Sequence, residues 1–392
     1  MQTQSANAAW HTKLHQSISA IPEADWDALN PAASIFTSWQ VLEAFESSGS
    51  LRSEYGWRPL HLALYDGAQD DAKLIGAVPM YLKANSHGEF VFDHAWANAY
   101  ERAGFRYFPK LLCAVPYSPV TGARLLGNSE SVLRALVSAL EQQLRALSLS
   151  SLHVNFLTEA QASLFAHDNW LPRFDWQFHW YRRPEWADFS DFIASFDSKK
   201  RKNILQERRK VQTELSTRGL TLHQRSGGDL TMSQIRQVHA LYEHSFDEKG
   251  NTPALNLEFF KRLCQRLPAG IRVISADRGD QMVAMAFLLK SADTLYGRYW
   301  GCYEDIPNLH FECCYYQGIE HALSEKLARF EPGAQGEHKL ARGFLPTRTR
   351  SAHLIANPAL CEPVRLSIGE ESRYLQRRYE ALMQHSPYRQ VL

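Results

Sequence analysis

Two stretches in the second half of the chain concentrate groups suited to anion binding and proton transfer. The first is Ser198–Lys210, SKKRKNILQERRK, with seven basic residues against one acid, Glu207. Ile204, Val211 and Leu215 share one helical face, so the basic groups project from the others. Guanidinium groups bind phosphates and carboxylates bidentately, which suits a nucleotide, coenzyme A, the end of a tRNA or a lipid-linked phosphate. Charge alone equally fits a solvated face.

The second stretch is Phe330–Arg350, FEPGAQGEHKLARGFLPTRTR. Gly333, Gly336 and Gly343 break it into turns, and such loops let backbone N–H groups approach a ligand. Glu337, His338, Lys339 and Arg342 crowd it with titratable groups. An imidazole with an ordinary pKa near 6.5 makes His338 a candidate general base. No GxxxxGK[ST] or GxGxxG motif accompanies it.

Between these stretches lie GRYWG (297–301) and LHFECCYYQ (309–317). Strand alternation puts Arg298 and Trp300 on one face, with Tyr299 between them. Helical spacing puts Glu312, Tyr316 and Glu320 on another. Glu312 stands early in that helix, where a carboxylate also serves the helix dipole. Cys302, His310, Cys313 and Cys314 lack metal-ligand spacing, so no metal site is expected. In the first half, HAWANAYER (94–102), RYFPK (106–110) and VPYSPVTGAR (115–124) read as ordered, aromatic loops fit to wall a ligand site.

The elements that must hold these groups alternate between helical and extended patterns, which indicates an α/β or α+β fold. In the first half, strands at Leu60–Tyr65 and Leu74–Leu82 flank a polar hairpin, and Phe90–Asp93 is extended. A helix follows at Ser131–Ala146, then strands at Leu152–Phe156 and Trp176–Tyr181. The second half repeats the order: helices at Ser233–Phe246 and Leu257–Leu267, strands at Ile271–Ala276, Met282–Leu289 and Thr294–Trp300, and a helix at Phe311–Glu325. A charged helix, Glu370–Met383, ends the chain. The repetition points to a duplicated domain, with the boundary near Arg182–Asp191. The expected domains are 1–185 and 186–392, the second holding the basic helix 199–215.

Composition excludes several classes. With 392 residues, 45% hydrophobic and 12% aromatic, the chain is neither disordered nor fibrous. Lys+Arg is 43 and Asp+Glu is 42, so it is not a globally basic nucleic-acid binder. No run of 18 apolar residues occurs and MQTQSANAAWHTKLHQSISA has no apolar signal core, so no membrane span or secretory signal is expected. Six cysteines in a chain this long read as reduced cytosolic thiols.

The segments VFDHAWANAYERAGFRYFPKL, VPYSPVTGARLL, KKRKNILQERRKV, GRYWG, LHFECCYYQGIE and FEPGAQGEHKLARGFLPTRTRSAH resemble a bacterial family of N-acyltransferases labelled "peptidoglycan biosynthesis/recognition", related to the Fem-type aminoacyltransferases. The resemblance runs from about Trp26 to about Tyr388. It implies two tandem GNAT-like domains, each a mixed, mostly antiparallel sheet flanked by helices. It implies acyl transfer to an amine by a cytoplasmic enzyme. It implies no tightly bound cofactor. The donor would be an acyl-CoA or an aminoacyl-tRNA, the acceptor a small-molecule or peptide amine.

On that reading Glu312 or His338 is the base, and Tyr299, also catalytic, helps orient the acceptor or polarise the acyl group. Arg201, Asn203, Arg208 and Arg209 hold the donor's phosphates. Arg298, Lys339 and Arg342 orient the acceptor or polarise the acyl group, with Trp300, Tyr316 and Glu337 also binding substrate. The first half adds a wall through His94, Tyr100, Lys110 and Thr121. Two other readings stand beside it: a non-catalytic protein that binds a cell-wall precursor or nucleotide, and an RNA-associated protein using the basic helix.

Overall fold

An antiparallel meander that ends in a parallel strand pair is built twice in this chain. The computed structural model describes residues 10–30, 34–67, 72–167, 169–334 and 336–389. They pack as two units: residues to Asp175 with Thr349–Ser372, and Trp176–Arg348 with residues from Arg373 onward.

In the first unit, β1 (Trp10–His15), β2 (His61–Asp66) and β3 (Lys73–Val78) pair antiparallel. After Pro79 the chain continues as β4 (Met80–Lys83), antiparallel to β5 (Lys110–Cys113). Ahead of this sheet, α1 (Trp39–Ser47) is capped by the Ser38 hydroxyl, which accepts from the Val41 amide. Between β4 and β5 lies α2 (His94–Arg102), and after β5 comes α3 (Glu130–Ala146). The α3 crossover delivers β6 (Ser151–Leu157) parallel to β5, as a parallel pair requires. Leu136, Leu140 and Leu144 of α3 pack with Leu111, Leu152 and Val154.

Strand β7 (Trp170–Tyr181) leads into the second unit. There α4 (Ser198–Thr217) precedes β8 (Thr221–Ser226), and α5 (Met232–Asp247) and α6 (Leu257–Arg266) follow. The strands β8, β9 (Ile271–Arg278), β10 (Gln281–Lys290) and β11 (Thr294–Cys302) form an antiparallel meander. A helical stretch, Leu309–Ser324, then crosses over to β12 (Arg329–Glu331), parallel to β11. The fold is thus the expected tandem α/β arrangement, with mixed and mostly antiparallel strand pairing in each unit.

Several elements differ from the sequence expectation. HAWANAYER is the helix α2, not a loop, because Trp96 and Tyr100 share a buried helical face. Phe90–Asp93 forms no strand, and Phe90 turns the backbone at φ 58°. β1 has no counterpart in the sequence expectation. The C-terminal helix, α7, runs from Pro358 to Met383, well before residue 370, and contains Pro363. Chain crossings between units fall within β7, within β13 (Leu345–Ile355) and within α7.

Candidate active site

Strands β11 and β12 stay paired only through Tyr296 and Glu331. Beyond that point β12 turns off at Pro332, whose backbone stands where a β-carbon on Gly297 would touch it. In the β10–β11 register Gly297 faces Leu288 and Tyr299 faces Phe287, leaving Arg298 as the extra residue of a bulge. Past the bulge Tyr299 packs toward α5 and α6, with Tyr242 at 4.9 Å and Phe260 at 6.0 Å between ring centroids. Trp300 takes the opposite face and meets His310 at 5.3 Å.

The crossover helix is not regular. Glu312–Tyr316 forms a π-turn, a local widening often met at functional sites. It buries both Tyr315 and Tyr316. The Tyr315 hydroxyl lies 2.8 Å from His338 Nε2. The Tyr316 hydroxyl donates to Glu207 of α4. The same carboxylate accepts from Arg342 Nη2 at 2.8 Å. Arg342 also lies over the Phe311 ring, 3.4 Å from its centroid.

One turn away, Arg208 forks onto Glu312 through Nε at 3.1 Å and Nη2 at 2.8 Å, and its Nη1 donates to Glu320 at 2.6 Å. Gln317 Nε2 donates to both carboxylates. Burial opposes the Arg208 charge, yet bonds from Glu320 and Glu312 raise its pKa above the ordinary arginine value.

The electrostatics of this face are set by cations. Lys339 is buried, its Nζ donates to the Gly333 carbonyl at 2.7 Å, and burial pushes its pKa down to about 8. His310 falls to about 4 through burial, then through His338, Lys339, Arg342 and Lys249. His338 is held below the usual imidazole value by burial, Lys339 and Arg342. Burial also drives the Tyr315 hydroxyl upward. Both imidazoles are therefore neutral at pH 7 and able to accept a proton.

The residues singled out from sequence separate into groups. His338, Lys339, Arg342, Trp300 and Tyr316 gather around the π-turn. Arg298 stands on the bulge of β11. Glu312, expected as a candidate base, is buried and closed by Arg208 and Gln317. Arg208, expected on donor phosphates, faces inward onto that carboxylate, because Ile204, Val211 and Leu215 turn its side of α4 to the core. Asn203 and Arg209 are exposed on α4, and Arg201 is half-buried on the same edge as Arg208. Tyr299 lies on the other face of β11 from Trp300. Glu337 is exposed and bonded to Arg378.

In the first unit, His94 is exposed and stacks on Phe92, and Thr121 is half-buried beside Gly122. Of the other two wall residues, Tyr100 is buried but lines a cavity with Phe105, Arg106 and Arg145, whereas Lys110 lies in the interior. The Tyr100 hydroxyl donates inward to the Ser150 carbonyl. Lys110 is wholly buried between Glu89 and Asp93, because a buried ammonium requires paired carboxylates. Sequence reasoning missed Glu207 and Tyr315 and considered His310 only as a metal ligand, a role it rejected. The one signal for Glu207 was its isolation as the single acid in a basic run.

Among the described residues no helix is long and apolar enough to cross a membrane. No curated protein matches the chain. Among solved structures it is similar to FemX, at 10% identity, with 91% of this chain and 100% of that one covered and a TM-score of 0.50. It is also similar to a conserved protein of unknown function from Bacteroides thetaiotaomicron, at 12% identity, 88% and 100% coverage and a TM-score of 0.49. Residues 17–390 match the FemAB-like family, described as peptidoglycan biosynthesis/recognition. With that span inside a chain of 392 residues, the protein belongs to the FemAB-like family.

Proposed function

We propose that the second unit transfers an acyl or aminoacyl group from an activated donor to an amine. The observation that carries this reading is the His338–Tyr315 pair, a neutral imidazole on a cationic face where two parallel strands part. Amide formation needs a deprotonated amine, a held ester or thioester, and donors for the developing oxyanion. Neighbouring cations lower the pKa of an arriving ammonium. In the tautomer this step uses, His338 Nε2–H donates to the Tyr315 oxygen and leaves Nδ1 to take the amine proton. The amine nitrogen attacks the acyl carbonyl, the carbon–nitrogen bond forms, and the carbon–oxygen or carbon–sulfur bond breaks with its electron pair leaving on the carrier. Lys339, charged below about 8, faces the charge that develops on the carbonyl oxygen. Arg208, Glu312, Glu207 and Tyr316 act as positioning residues that hold the π-turn and Arg342. Arg201, Asn203 and Arg209 of α4 meet the phosphates of the donor's carrier.

The test is thermal shift of the full chain against coenzyme A, acyl-CoAs and charged tRNA at two salt concentrations. A ligand at 100 times its Kd stabilises by about 2.7 kcal/mol. A shift with an acyl-CoA or a charged tRNA, followed by amide product in the presence of an amine mixture, supports the reading. A well-folded chain that responds to none of these contradicts it and favours a binding protein. Six cations of α4 other than Arg208 have no anionic partner among the described residues, which favours RNA association as a second reading. That reading predicts salt-dependent RNA binding that survives loss of His338.

A further inference from the structure

Helix α4 runs for 20 residues, about 30 Å. Ile204, Val211 and Leu215 bury its inner side. On the opposite side Lys199, Lys202, Arg209 and Lys210 are exposed, and none of the four is in an ion pair among the described residues. The carboxylates nearby are committed elsewhere. Glu207 bonds Tyr316 and Arg342, and Glu214 bonds Arg218 at 3.1 Å. Asp188 and Asp191 accept from the Ser190 and Ala187 amides in the preceding short helix and turn. Asp197 is exposed where α4 begins. Leu205 interrupts the cationic face. It is 43% exposed, and Lys202 and Arg209, three residues before and four after, flank it on the same side. Asn203, Gln206 and Thr213 are exposed beside them, and the helix holds no Phe, Tyr or Trp.

An RNA backbone would use the cations and leave the leucine in water, and single strands gain affinity by stacking on aromatic rings, which α4 lacks. One leucine is too little apolar surface to enter a lipid layer. A helix of another protein that sets Asp and Glu around an apolar residue matches both features, its carboxylates on the cations and its apolar residue over Leu205. The inner edge of α4 meets the transfer site, where Glu207 accepts from Tyr316, the neighbour of Tyr315 in the π-turn. A partner on the outer face therefore stands about one helix diameter, roughly 10 Å, from the reacting atoms. It must present its acyl group on an arm at least that long. From the charge and the exposed leucine of α4 we infer that the donor's carrier is an acidic protein that docks on Lys199, Lys202, Leu205 and Arg209. It bears the acyl group as a thioester on a flexible, phosphate-linked arm. This rests on the transfer reading above and names the carrier. Asn203, one turn before Glu207 on the edge facing the site, meets the arm's phosphate. The amine nitrogen bonds to the acyl carbon, the carbon–sulfur bond breaks, and the thiolate stays on the arm and receives the proton that left the amine.

The test gives the full chain three probes: an isobutyryl-loaded acyl carrier protein, isobutyryl-coenzyme A and uncharged tRNA. Binding is read by fluorescence anisotropy at low and high salt, and amide product by mass spectrometry with an amine mixture. The expected result is kcat/KM for the protein-borne thioester at least about tenfold above that for the coenzyme A thioester at low salt, with the gap closing as salt screens the contact. Lys199→Glu/Lys202→Glu should abolish that preference and leave coenzyme A turnover unchanged. Both substitutions fall in the first turns of α4, where a carboxylate suits the helix dipole and the fold is kept. Leu205→Ser should weaken carrier-protein binding roughly fivefold and leave tRNA binding as it was. Tighter binding of tRNA than of the carrier protein, or carrier-protein binding indifferent to Lys199→Glu/Lys202→Glu, overturns the inference; product from the coenzyme A thioester then leaves the transfer reading standing. Carrier-protein binding that depends on Lys202 and Leu205, with no product from either thioester, keeps the docking surface and overturns the transfer reading, and with it the partner's role as donor.

Discussion

Arg208 and Glu312, 104 residues apart in the chain, meet through two hydrogen bonds of 3.1 and 2.8 Å. The pair ties α4 to the π-turn that carries Tyr315. Breaking a buried pair by removing one partner leaves an uncompensated charge. Arg208→Met should therefore cost roughly 3 kcal/mol of stability, read as a fall in the urea midpoint. The double variant Arg208→Met/Glu312→Leu should regain most of it. A single variant as stable as wild type would mean that the pair does not hold the turn.

His338 sits within reach of the reacting atoms in this account, and its proton affinity sets the acid limb of the rate. Its pKa lies below the ordinary imidazole value, so it is neutral through pH 7. Wild-type kcat/KM should be flat from pH 7 down to about 6.5 and fall only at lower pH. His338→Gln should lower kcat roughly 100-fold or more without altering the fold. Tyr315→Phe should move the acid limb, because the hydroxyl 2.8 Å from Nε2 is lost.

Lys339 controls the alkaline side. Its ammonium is lost as pH rises through about 8. Activity should fall over that range. Lys339→Arg should hold its charge and carry activity to higher pH, whereas Lys339→Met should be slow at every pH and lack the limb. A wild-type profile flat to pH 10 would remove Lys339 from the reaction.

Burial of His310 makes stability depend on acid. Its pKa is about 4 in the folded chain and near about 6.5 when unfolded. Between these values the unfolded chain binds a proton that the folded chain refuses, so stability falls as pH drops from 6.5 to 4. His310→Phe should flatten that slope relative to wild type in urea unfolding at pH 4 to 7. Other buried histidines keep some slope, so the difference between the two proteins is the quantity to read.

In the first unit Lys110 is enclosed by Glu89 and Asp93, and the Tyr107 hydroxyl bonds to Asp93 as well. Lys110→Met should destabilise by roughly 3 kcal/mol, since two buried carboxylates lose their cation. Donor affinity measured on the folded fraction should be unchanged. A change in affinity with full stability would restore Lys110 to a ligand wall.

Much of the fold was legible because hydrophobic period reports burial directly. The stripe Leu136, Leu140 and Leu144, and the strands on either side of DRGDQ, are read from spacing alone. The duplicated order followed from the same periods. The helix α2 was not legible, since its single apolar face is made of Trp96 and Tyr100 within a polar, aromatic sequence. At the site, sequence placed His338, Lys339 and Trp300 together as chemistry-bearing types. It could not show that Arg208 turns inward onto Glu312, because a run of cations does not say which one faces the core. The π-turn was equally hidden: it changes which residues face one another without changing composition. Lys110 illustrates the reverse error, a charge assumed to be at a surface that is paired inside.

The most direct test is amide formation by the full chain, followed by mass spectrometry, with an isobutyryl thioester and an amine mixture as substrates. Wild type should give acylated product and His338→Gln a rate roughly 100-fold lower, with Tyr299→Phe close to wild type because its ring faces α5 and α6. Undiminished product from His338→Gln, or loss of product on Tyr299→Phe with the fold intact, would contradict it.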